Sequence, residues 1–90
     1  MRILVVMLVA TLVAGCATRP GRERCASLLD SAWAELDIAK AEGFAGTVSY
    51  GKALALLTHA KGQQALERFP SCIDAADKAR FYIAESRKGR

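Results

Sequence analysis

At 90 residues and 9.7 kDa, the chain allows one small domain at most, which excludes large enzymes and multidomain architectures. Twelve of the first 15 residues are apolar, and the remaining 75 hold 35 apolar residues, an ordinary globular share. The mean hydropathy of +0.15 is therefore a leader effect, and a net charge of +4 is too mild to mark a nucleic-acid-binding face.

Met1 and Arg2 make a short positive start, and Ile3 to Ala14 is an apolar run broken only by Thr11. As a helix this run spans about 18 Å against about 30 Å of hydrocarbon, too short for an ordinary membrane span and the right length for a signal-peptide core. Its end, Leu12-Val13-Ala14-Gly15-Cys16, resembles the bacterial lipobox. The resemblance implies that residues 1–15 are a signal peptide removed before Cys16. It further implies a diacylglyceryl group, palmitate-type chains included, on the Cys16 thiol and an acyl chain on the new amino group. Small Ala14 and Gly15 suit the peptidase, and only a thiol forms the thioether. At about 0.8 kcal/mol per buried methylene, such chains hold a protein on a bilayer without a membrane helix. Ala17, where the family's inner-membrane retention signal is Asp, implies the periplasmic side of the outer membrane. An ordinary secretory leader with an incidental Cys16 is the competing reading.

With Cys16 used as the anchor, Cys25 and Cys72 remain as an even pair in an oxidising compartment, which predicts a disulfide. Two free buried thiols are the alternative. There is no C-x-x-C and no zinc-like spacing with the single His59, so no metal is expected.

Residues 16–24 read as a lipidated start and a flexible tether, with Pro20, Gly21 and Arg19, Arg22 and Arg24. Those arginines either lie along anionic headgroups or form a solvated spacer. From Cys25 the period changes. Cys25, Leu29, Ala32, Leu36 and Ala39 repeat at helical spacing, predicting a first helix over about 25–42 closed by Gly43. Thr47 or Ser49 caps a second helix over about 48–68, whose stripe is Tyr50, Ala53, Leu57, Ala60 and Gln64. Gly62 within it costs about 1 kcal/mol relative to alanine, tolerable where another backbone packs closely. Phe69-Pro70 is expected to end this helix. Ser71-x-x-Asp74 reads as a capping-box start for a third helix over about 71–87, with Cys72, Ala76, Ala79 and Ile83 on one face.

Short connections make sequential helices antiparallel neighbours, so the chain reads as all-α: an antiparallel three-helix bundle over 25–90. Its first and third helices run parallel, which brings Cys25 and Cys72 to one end. Alanine outnumbers leucine about two to one after Cys16, so helices approach closely but bury little area per contact. The second and third helices also resemble a tetratricopeptide-type hairpin at Ala60, Phe69, Cys72 and Ala79. They depart from it at His59, Gln63 and Glu67, and one hairpin forms no solenoid alone. The alanine-rich body behind a lipobox resembles small bacterial envelope lipoproteins.

Candidate chemistry is sparse. His59 lacks an accompanying nucleophile motif and reads as a helix-surface residue, and no glycine run could cradle phosphate. The expectation is a non-enzyme with no catalytic residue, no metal and no cofactor beyond the lipid on Cys16. Trp33, Phe81 and Tyr82 are the candidate interaction surface: core packing accounts for Trp33 and one of Phe81 or Tyr82, and since those two point about 100° apart on a helix, at least one of them is expected to be exposed. The role expected is an accessory or adaptor protein that binds an envelope protein through a helical face and takes no nucleic acid. The alternative is a structural lipoprotein whose C-terminal Lys78, Arg80, Arg87 and Lys88 touch cell-wall polymer or lipid phosphate.

Overall fold

The computed structural model describes residues 19–90; the leader, Cys16 and Ala17 lie outside them. The described chain folds into three helices, α1 (Arg22–Ala41), α2 (Val48–Ala65) and α3 (Phe69–Ser86), with no strand among the described residues. The Cys25–Cys72 bond joins the first turns of α1 and α3, while an Arg87–Glu42 ion pair at 2.8 Å joins their last turns. These two helices are therefore parallel. Ser49 N–H donates to the Arg90 carbonyl at 3.1 Å, which sets the start of α2 beside the end of α3 and makes α2 antiparallel to both.

The core follows the 3.6-residue period. The stripe on α1 is Cys25, Leu29, Ala32, Leu36 and Ala39 as expected, and α2 contributes Ala53, Leu57 and Ala60. From α3 come Phe69, Cys72, Ala75, Ala76, Ala79 and Ile83. Half of these 14 buried apolar residues are alanine, so bulk comes mainly from Phe69, Leu36, Leu57 and Ile83. Tyr50 and Gln64, expected on the α2 stripe, are only partly buried, and Leu66 is 60% exposed.

The helix ends differ from the sequence reading, and backbone chemistry explains why. Helix α1 closes as expected on Gly43, whose φ of 94° lets its N–H reach the Lys40 carbonyl while Phe44 N–H reaches that of Ala39. Helix α2 closes in the same way three residues early. Glu67 takes φ 58°, its N–H bonds the Gln64 carbonyl at 3.0 Å, and Arg68 N–H bonds that of Gln63 at 2.8 Å. A glutamate thus holds a backbone conformation that glycine occupies at lower cost.

Pro70 then opens α3 rather than ending α2, because proline fits the first helical turn, where an N–H has no partner. Ser71 already lies inside the helix, so the expected Ser71-x-x-Asp74 cap does not form; the N-cap is Arg68, with no side-chain hydrogen bond. Asp74 instead pairs with Lys78 at 3.0 Å. For α2 the cap is Thr47, whose Oγ1 accepts from Tyr50 N–H, while Ser49 is buried. Gly62 is also not where a neighbour packs closely: a Cβ there, or on Gly51, would meet nothing within 4 Å.

Candidate functional site

Cys25 and Cys72 are both fully buried, 5.7 Å apart at Cα, and joined by a disulfide. Each lies on the inward stripe of its helix one turn from the start, so parallel packing of α1 and α3 makes the sulfurs face one another. Closing a loop of this length stabilises the fold by about 4 kcal/mol in the chain-entropy account.

Around this stapled end the chain is more ordered than a tether. Helix α1 begins at Arg22, ahead of the expected Cys25. Gly21 has φ 92° and sits so close to α3 that a Cβ would lie 3.2 Å from Ile73 Cδ1 and Phe69 Cβ. Arg22 lies over the Phe69 ring, 5.0 Å from its centroid, and its Nη2 donates to Glu67 Oε1 at 3.0 Å. Arg19 approaches the other oxygen, Oε2, at 3.4 Å. One carboxylate thus gathers two arginines from the other side of the bundle end.

The expected interaction residues split. Phe81 lies nine residues beyond Cys72, about 180° around the helix from it and so on the outward side of α3, and is 60% exposed. Its ring meets Tyr82 edge-on at 5.2 Å, and Lys52 Nζ of α2 lies 5.3 Å from the centre of the Tyr82 ring. Trp33 does not join them. It is about 200° around α1 from Glu35, the residue that reaches α3, so it leaves on the opposite side. It packs against the core there, with its Nε1 buried and unpartnered among the described residues.

The C-terminal cations are compensated by carboxylates. Arg80 donates to both oxygens of Glu35, at 3.0 and 3.4 Å, Arg87 pairs with Glu42, and Glu85 receives Lys88 at 3.3 Å and Arg90 at 3.1 Å. Hydrogen bonds from Arg90 and then Lys88 hold the Glu85 carboxyl below the ordinary glutamate value of 4.5.

Three of the long-range pairs belong to no local motif: Arg22 with Glu67, Arg80 with Glu35 and Arg87 with Glu42. Each joins an arginine to a glutamate 45 positions away. That recurrent offset is the register of α3 and the residues just ahead of it against α1. It is present in the sequence once the first and third helices are recognised as parallel.

His59 lies exposed on α2. Among the described residues no group of three His, Cys, Asp or Glu could hold a metal ion, and no helix is long and apolar enough to cross a membrane. No protein-family model, curated protein or solved structure matches this chain.

Proposed function

We propose that the chain is an envelope lipoprotein, cut before Cys16 and acylated on it, whose bundle acts as a non-catalytic accessory or adaptor for another envelope protein. Ala17 favours the periplasmic side of the outer membrane as its site. The observation that carries the adaptor role is Phe81: a large aromatic residue, 60% exposed, braced edge-on by Tyr82 on the outward side of α3. An exposed aromatic whose ring is already held in place loses little freedom on docking, which is the character of an interface anchor. The rival role, contact with wall polymer through the basic C-terminal cluster, is disfavoured because Lys78, Arg80, Arg87 and Lys88 each already have a carboxylate.

A photo-crosslinking residue at Lys78, one turn from Phe81, tests this in intact cells. The expected result is one stoichiometric protein adduct that Phe81→Ser suppresses while the bundle stays folded. Unchanged adducts in Phe81→Ser, or salt-sensitive sedimentation with purified wall material in place of an adduct, would contradict it.

A further inference from the structure

We infer that the stapled end of the bundle is a membrane-docking surface for anionic phospholipid headgroups, on which the three helices stand upright. The inference rests on acylation of Cys16 and adds to it an orientation and a lipid preference.

The first support is reach. Cys16 precedes Arg19 by three positions, and three residues span at most about 11 Å however they are arranged. A lipid anchor at Cys16 therefore keeps Arg19 within one headgroup layer of the bilayer. Arg19 does not simply prolong that linker, since its side chain pairs with Glu67 and its carbonyl accepts from Arg22 N–H at 3.4 Å. The closely packed Gly21 fixes the same segment to α3. Arg19 to Gly21, the residues that follow within that reach, are thus held to the end of the bundle.

The second support is charge. Four arginines, Arg19, Arg22, Arg24 and Arg68, share this end with Glu23 and Glu67, a surplus of two positive charges. Glu67 is shared by Arg19 and Arg22, while Arg24 and Arg68 have no ion-pair partner among the described residues. At the opposite end Arg87, Lys88 and Arg90 are each bonded to Glu42 or Glu85. Lys40, in the last turn of α1, likewise has no ion-pair partner among the described residues, so it is the anchor that selects the stapled end, where Arg24 and Arg68 lie beside the exposed apolar side chain of Leu66. Guanidinium groups suit phosphate oxygens, and a basic residue near an anionic surface favours the bound orientation by up to about fivefold.

The test uses the acylated full-length chain, its Cys16 lipid verified by intact mass. It is reconstituted on supported bilayers of phosphatidylcholine with or without phosphatidylglycerol, and helix orientation is read from polarised infrared dichroism of the amide band. The expected result is helices ordered along the bilayer normal with phosphatidylglycerol present. That order should fall with added salt and in the double variant Arg24→Gln, Arg68→Gln, with a docked fraction smaller by up to about fivefold per arginine. Equal order on both bilayers, or order untouched by the double variant, overturns the docking surface and leaves the anchor standing. An unacylated Cys16 removes the anchor and the docking surface together.

Discussion

Glu67 carries an unusual combination for one surface residue: it closes α2 in a left-handed conformation and holds Arg19 and Arg22. The two roles are separable by substitution. Glu67→Gly loses the ion pairs, worth at most about 1 kcal/mol at this exposure, but relieves the backbone. Glu67→Ala loses the pairs and keeps the strain. Chemical denaturation should find the glycine variant more stable than the alanine variant by about 1 kcal/mol; equal stabilities would mean that the positive φ is not maintained in solution. Glu85 offers a pH test. Its carboxyl is held below 4.5 by Arg90 and Lys88, so the ionised form favours the folded state. That contribution is complete above the ordinary glutamate value and disappears as pH falls through the lowered one. An NMR titration should give Glu85 a midpoint below 4.5, and a midpoint at or above it contradicts the clasp. At this scale the cysteine pairing was legible because only two sulfurs remain once Cys16 is set aside. The strained Glu67 was not, since nothing local marks a glutamate for positive φ.

At the scale of the elements, the 3.6-residue period located all three helices and most of their buried stripes. The boundaries moved because backbone groups decided them. Pro70 starts α3 where a rule about the residue before proline predicted an ending, and the Glu67 closure then ends α2 at Ala65. Gly51 and Gly62 test how α2 is packed. Both lie within the helix with open space where a side chain would go, so alanine gains helix propensity without a clash. Each of Gly51→Ala and Gly62→Ala should raise stability by about 0.5–1 kcal/mol. A loss in thermal or urea melts would show that something packs on that face of α2.

For the whole molecule, the connection lengths implied antiparallel neighbours, and that topology alone brought the starts of α1 and α3 together. The sharing of Glu67 by Arg19 and Arg22 and the order of residues 19–24 were less accessible, because they depend on how the bundle end closes over Phe69. With seven alanines among its 14 buried apolar residues, the core depends heavily on its staple. Reducing the Cys25–Cys72 bond should lower unfolding stability by about 4 kcal/mol, read as a shift of the urea midpoint with and without reductant. An unchanged midpoint would deny the bridge its structural role. The location of the molecule turns instead on Cys16, which no fold argument reaches. Intact mass spectrometry of protein extracted from cell membranes tests it most directly. The expected species is a chain of residues 16–90 carrying a diacylglyceryl group and an amide-linked acyl chain at Cys16. A chain that still begins at Met1, or one that begins at or after Cys16 without lipid, would contradict it.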